Sequence, residues 1–187
     1  MRRVLRIILV CAALFICRIC PAQKFSLSTN LLEYVRLCTF NADVSYAVSR
    51  HWNITAGASY NPFTFRSGSP DRQFQYRQQS YTVGMRFWPW HLWTGWWFSG
   101  NLKYQEYNKG GIISPATEEG DRIGIGLYSG YTHMLTTHLN LEFGFGFWGG
   151  WSEYTRYSCP SCGPVTESGK KMFLLPDEFM ISLAYVF

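Results

Sequence analysis

The sequence predicts an all-β protein, an eight-stranded antiparallel up-and-down transmembrane β-barrel, on three observations. First, Phe179, Ile181, Leu183, Tyr185 and Phe187 fall at every second position and stop on the last aromatic residue. That is the period of one apolar strand face, and a strand of this kind closes a bacterial outer-membrane barrel and carries its assembly signal. Second, seven earlier stretches alternate in the same way, most of them about ten residues long, which is what a tilted strand needs to cross a bilayer. Third, the connections alternate short and long, with both ends of the barrel segment on the short side.

The opening residues stand apart from this pattern. Arg2, Arg3 and Arg6 precede an apolar run over 7–16, and Ala22 offers a small residue before a cut. This is the layout of a secretory signal peptide, and the run is too short to span a membrane as a helix. Ile16 and Ile19 stand where a lipoprotein signal needs a small residue, which argues against lipidation at Cys17 or Cys20. The expected division is therefore a signal over 1–22 and a barrel domain over 23–187. Removing 1–22 takes Arg2, Arg3, Arg6 and Arg18 with it, four of the net five positive charges. No basic stretch remains to suggest nucleic-acid binding. Cys11, Cys17 and Cys20 go too, leaving Cys38, Cys159 and Cys162. The remainder is rich in aromatic residues and glycine and lacks helical periodicity, as a β protein should.

The strands can be taken in order. The first covers 24–32, with Phe25, Leu27, Thr29 and Leu31 on one face, and the second covers 41–48, with Ala42, Val44, Tyr46 and Val48. The third, 52–60, presents Trp52, Ile54, Ala56, Ala58 and Tyr60, and the fourth, 75–87, presents Tyr81, Val83, Met85 and Phe87. The fifth, 96–105, presents Trp96, Phe98, Leu102 and Tyr104. The sixth, 122–132, presents Ile123, Ile125, Leu127 and Tyr131. The seventh, 139–151, presents Leu139, Leu141, Phe143, Phe145, Phe147 and Trp151, and the terminal strand, 177–187, is the eighth. Opposite faces are small or polar, as with Ser80, Thr82, Gly84 and Arg86, or Asn140, Glu142, Gly144 and Gly146.

Alternation alone fits a soluble β-sandwich as well as a barrel turned inside out; the connections separate them. Short turns fall at 49–51, 88–94 and 133–138, and long loops at 61–74, 106–121 and 152–176, with 33–40 a shorter loop on the long-loop side. Trp88, Trp90, Trp93, Trp96 and Trp97 crowd the second short turn beside Trp52, the expected place for indoles at a membrane–water boundary.

These stretches resemble an uncharacterised family of small outer-membrane barrels from Bacteroidota, classed as a domain of unknown function. The resemblance rests on Tyr60-Asn61-Pro62-Phe63, Tyr107-Asn108-Lys109-Gly110-Gly111-Ile112, Ser129-Gly130-Tyr131 and Leu139-Asn140-Leu141-Glu142. It also includes Tyr154-Thr155-Arg156-Tyr157, which leads into Cys159-Pro160-Ser161-Cys162-Gly163. It covers nearly all of 23–187 in order, and Trp88-Pro89-Trp90-His91-Leu92-Trp93 is richer in tryptophan than the family pattern. The resemblance implies a signal peptide, an outer-membrane address, no assigned catalytic residues, and a link to surface-appendage assembly.

An eight-stranded barrel has an interior just wide enough for side chains. The face assignment points Asp43, Arg86, Lys103, Arg122, Glu142 and Glu178 inward, three acids and three bases that predict an interior ion-pair network. Cys159 and Cys162 form a CxxC in the longest loop, a candidate disulfide in an exported protein. A lone CxxC supplies two of the about four ligands zinc needs, although Cys38 could approach it. His51, His91, His133 and His138 all fall at the short-turn side, away from where a lipid-modifying enzyme of the outer leaflet would need a base. No cofactor is expected. The expected function is a non-enzymatic outer-membrane barrel, a structural or binding component contacting outer-membrane lipid and the barrel assembly machinery. Aromatic and basic residues of its external loops, among them Tyr107, Lys109, Tyr154, Arg156, Tyr157, Lys170 and Lys171, suit a surface protein or acidic glycan. The alternatives are an outer-leaflet lipid-modifying barrel enzyme and a soluble periplasmic β-sandwich that binds a ligand.

Overall fold

The computed structural model describes residues 23–35, 37–66, 73–110, 116–158 and 164–187, apart from the side chains of residues 65, 66, 73, 74, 177 and 178. Among the described residues nine strands and one short helix follow in order: β1 (Phe25–Asn30), α1 (Leu31–Val35), β2 (Phe40–Ala47), β3 (Trp52–Asn61) and β4 (Thr64–Arg66). Then come β5 (Gln73–Phe87), β6 (Gly95–Gly110), β7 (Thr117–Met134), β8 (Leu139–Tyr157) and β9 (Val165–Val186). Each barrel strand pairs antiparallel with its neighbours in sequence, and β9 returns to pair with β1. The sheet therefore closes into one eight-stranded barrel rather than two packed sheets, which overturns the sandwich alternative. The extra strand β4 is β3 continued past Pro62: Asn61 faces Gln78 and Thr64 faces Gln75 in one unbroken register along β5. Proline has no N–H for a ladder, so the strand is interrupted there without changing partner.

Both described ends of the chain meet at the short-turn end, where Phe187 N donates to Phe25 O (2.8 Å) and Val186 N to His138 O (2.7 Å). Side chains sort as the period-two pattern requires, with apolar residues outward. Leu27, Val44, Ile54, Val83, Leu102, Ile125, Leu127 and Phe147 are exposed, while Ser26, Asn53, Ser80, Lys103, Asn140, Glu142 and Ser182 are buried. Of the predicted terminal signal, Phe179, Tyr185 and Phe187 are exposed and Ile181 and Leu183 are half-buried.

Three expectations are corrected. The long connections are mostly sheet: β6 and β7 stay paired out to Gly110 and Thr117, and β8 and β9 out to Tyr157 and Val165. Joined edge to edge from β5 to β9, these ribbons form one continuous sheet whose outward residues are mostly polar, so the apolar alternation that marks a strand stops there. Residues 33–40 are not a plain external loop, since α1 turns Glu33 inward to 8% exposure. The tryptophans of the second turn are not all interfacial. Trp52, Trp90 and Trp96 are exposed, but Trp88, Trp93 and Trp97 are buried with Val186 as a plug across the short-turn end. Burying rings of this size contributes roughly 1.5–3 kcal/mol each. Trp93 sits at φ +67° to do so, a conformation costing about 1–2 kcal/mol for a non-glycine residue. It is held by Trp93 Nε1 donating to Gln23 O (2.8 Å) and Asn140 Nδ2 donating to Trp93 O (2.9 Å).

Candidate functional site

The lumen is a concave polar surface that these elements build, and its groups lie in layers from the plug to the long-hairpin end. Directly above the plug, Arg86 on β5 pairs with Glu142 on β8 (Nη1 to Oε2, 2.8 Å). Both side chains are almost fully enclosed, and the guanidinium lies 4.0 Å from the centre of the Trp97 ring. Thr132 Oγ1 donates to the other carboxylate oxygen at 3.4 Å. The paired charges and the ring compensate one another where water has little access, while Arg86 Nε and Trp97 Nε1 are buried with no hydrogen-bond partner among the described residues.

The middle of the lumen holds small cavities. One of about 90 Å³ is lined by Asp43, Arg86, Trp97, Asn101, Lys103 and Tyr128. Asp43 lies over Gly57, so close that a Cβ there would meet its carboxylate at 1.9 Å. A second cavity, of about 170 Å³, is lined by Glu33, Gln78, Lys103, Gln105, Lys109 and Arg122, with Trp148, Leu175 and Pro176 among its other walls. Lys103 Nζ sits 5.0 Å from the Trp148 ring centre, and the Arg122 guanidinium 3.9 Å from that of Tyr107. Of the six residues predicted to face inward, the structure thus joins Arg86 to Glu142 and places Asp43, Lys103 and Arg122 along the lumen. Glu178 stands opposite Gly146 beside a register shift; its side chain lies outside the described ones.

A dense charge cluster gathers bases and tyrosines that the sequence singles out, Tyr107, Arg122, Tyr154, Arg156 and Lys171, around two acids that it does not, Glu118 and Glu167. Glu118 on β7 accepts hydrogen bonds from Tyr107 Oη (2.8 Å), Arg156 Nε (3.0 Å) and Lys171 Nζ (3.0 Å), with Arg122 at 3.8 Å. Burial raises the Glu118 pKa, but these donors outweigh it and hold the carboxyl at about 2. Glu167 joins through Tyr154 Oη (2.6 Å) and Arg156 Nη1 (2.9 Å), and those contacts hold it below the ordinary carboxylate range. The ladder makes the cluster: Lys109, Glu118, Arg156 and Glu167 form one cross-strand row, and Gln105, Arg122, Ser152 and Lys171 a row below it. The signal that could have found it is the inward period of β7, which runs from Arg122 through Gly120 to Glu118. At the level of the barrel mouth an open depression of about 730 Å³ lies largely on the outer face of the same strands, with Tyr60, Glu106, Asp121 and Lys170 among its walls.

Other candidates fall elsewhere. Cys159, Cys162 and the proposed signal over 1–22 lie outside the described residues, and Cys38 is an exposed free thiol. His51 and His138 stay at the short-turn end, their Nδ1 atoms bonded to the carbonyls of Trp88 (2.9 Å) and Val186 (2.8 Å). Among the described residues no group of three or more His, Cys, Asp or Glu side chains is placed to hold a metal ion.

The model of a family described as a protein of unknown function, DUF3575, matches residues 6–187, and the chain belongs to that family. No curated protein and no solved structure matches it.

Proposed function

We propose that this DUF3575 chain is a non-enzymatic barrel of the bacterial outer membrane, a structural or binding component of a Bacteroidota-type envelope. In this reading residues 1–22 direct export, the assembly machinery inserts the barrel, and the short-turn end faces the periplasm. The ribbons β6–β7 and β8–β9 then project from the cell and meet a surface protein or acidic glycan, with surface-appendage assembly as one such setting. No cofactor or nucleic acid takes part.

The observation that carries it is the inversion of a soluble fold, a closed barrel with its polar side chains inside and its large apolar ones outside. On β3 the exposed apolar face runs over nine residues from Trp52 to Tyr60, within the roughly 9–11 residues that a tilted strand needs to cross a bilayer. Aromatic side chains bound the band, with Trp52, Trp96 and Tyr131 near the short turns and Tyr60, Tyr81 and Trp151 toward the ribbons. Beyond it the outward residues become charged, as in the ion pair of Glu153 with Lys170. Exposed apolar surface on this scale needs a non-aqueous solvent.

Two measurements on one strain test the reading. Cell fractionation and gel migration before and after boiling should give a membrane protein that is heat-modifiable; recovery in the soluble periplasm would sink the membrane assignment. Photocrosslinking in intact cells from positions 157 and 170 should capture a defined surface component. An altered outer-leaflet lipid profile in a deletion strain, restored by the wild-type chain but not by a variant with its mouth acids neutralised, would instead favour an enzyme.

A further inference from the structure

The 170 Å³ cavity behind α1 has features that packing of the barrel does not require. Three cationic side chains, Lys103, Lys109 and Arg122, share it with a single acid, Glu33. Amide groups of Gln78 and Gln105, themselves joined at 3.3 Å, stand on the same wall. Arg122 Nε is buried and has no hydrogen-bond partner among the described residues. The volume has room for several waters, or for one small oxyanion with fewer.

Glu33 reaches this place by an unusual route. β9 pairs with β1 only between Ser26 and Asn30, so above Ser182 its β1-side edge has no strand partner among the described residues. α1 packs into that gap beside β9, and Leu175 and Pro176 of the same stretch of β9 wall the cavity. Asn30 fixes the start of α1, its Oδ1 accepting from Leu32 N (3.1 Å) and from Ile181 N (3.2 Å). The carboxylate of Glu33 is therefore delivered by a short covering segment, not by the barrel wall.

We propose that this cavity is an anion site for a phosphate group, that Lys103, Lys109 and Arg122 form its cationic wall, and that Glu33 is its built-in occupant. An incoming oxyanion takes the place of the Glu33 carboxylate and brings the Nε of Arg122, whose Nη2 already faces Glu118, the acceptor it lacks. Two sources supply such a group: a free phosphate compound entering through the open mouth, or the headgroup of an anionic lipid entering sideways through the gap that α1 covers. Only the second source rests on the membrane reading above.

The test uses the full mature chain in a nonionic detergent, with equilibrium dialysis of inorganic phosphate at fixed ionic strength. Replacing the competing charge in Glu33→Gln should tighten phosphate binding about tenfold or more, the effect of one charge-assisted hydrogen bond. Arg122→Gln and Lys103→Met should weaken it by a similar factor. The lipid arm compares vesicles of phosphatidylcholine alone with vesicles containing phosphatidylglycerol, and reads copurifying phosphatidylglycerol. Response to phosphate assigns a soluble ligand, and response only to phosphatidylglycerol assigns a headgroup. If Glu33→Gln binds neither, or Arg122→Gln binds as well as Glu33→Gln, the proposal is overturned. Should Glu33→Gln fail to fold, the wild-type chain decides: its binding of either probe must exceed that of Arg122→Gln, and equality overturns the site.

Discussion

Trp97 can lie flat across the lumen because two strands give it room. A Cβ on Gly130 would stand 2.3 Å from the Trp97 ring and 2.2 Å from the carbonyl oxygen of Phe143, and one on Gly144 would come within 2.9 Å of the same ring. The alternating glycines of β7 and β8 therefore leave space for a plug that a narrow barrel could not otherwise hold. Gly130→Ala should cost about 1–3 kcal/mol or more by overpacking, seen as a lower denaturant midpoint of the reconstituted barrel. A midpoint equal to wild type would mean that Trp97 has another place to go. The Glu118 cluster makes a separate prediction at this scale. Its folded pKa of about 2 lies below the ordinary value of 4.5, so the cluster adds stability above about pH 4.5 and gives it up as pH falls toward 2. Wild type should be more stable than Glu118→Gln at pH 6, and the gap should close between pH 4.5 and 2. A gap that stays constant over that range would show that the charge on Glu118 does not hold the ribbons together.

Elements differ in how plainly the sequence announces them. The eight barrel strands were legible because each has one apolar face turned outward and one small or polar face in a crowded lumen, and that contrast writes period two into the residues. The ribbons were not, since Tyr154, Thr155 and Arg156 on β8 face Gly169, Ser168 and Glu167, where no apolar face is set against a polar one. Their pairing is held by backbone bonds and cross-strand ions, which leave no hydrophobic period to read. Arg86 and Glu142 could be assigned inward from alternation alone, whereas Glu33 could not, because it arrives on a single helical turn. The tryptophans were misread for another reason: a Trp in a turn looks the same from sequence whether it points to an interface or folds back into the barrel end. That sorting is testable. Trp97→Ala should lose about 3–5 kcal/mol, the usual cost of deleting a buried large aromatic. Trp90→Ala, on the same turn and 67% exposed, should change unfolding by about 0.5 kcal/mol or less. Equal losses would show that Trp97 does not plug the barrel.

For the whole molecule the decisive quantity is the solvent its exterior is built for. Leu127 is 70% exposed at the centre of the outward run from Ile123 to Tyr131 on β7. Its neighbours across the ladder, Gly100 and Phe147, leave room for a longer side chain pointing away from the barrel. In water, Leu127→Arg would remove an exposed apolar group and add a solvated charge, which should be neutral or favourable. At the middle of a bilayer the same change should cost about 2–4 kcal/mol, falling toward zero near either boundary. Arginine placed in turn at 123, 125, 127 and 131 should therefore give a loss that peaks near 127 when unfolding is measured in vesicles. A flat profile in vesicles would mean that the apolar exterior is covered by protein instead of lipid, and the barrel would have to be one wall of a larger assembly.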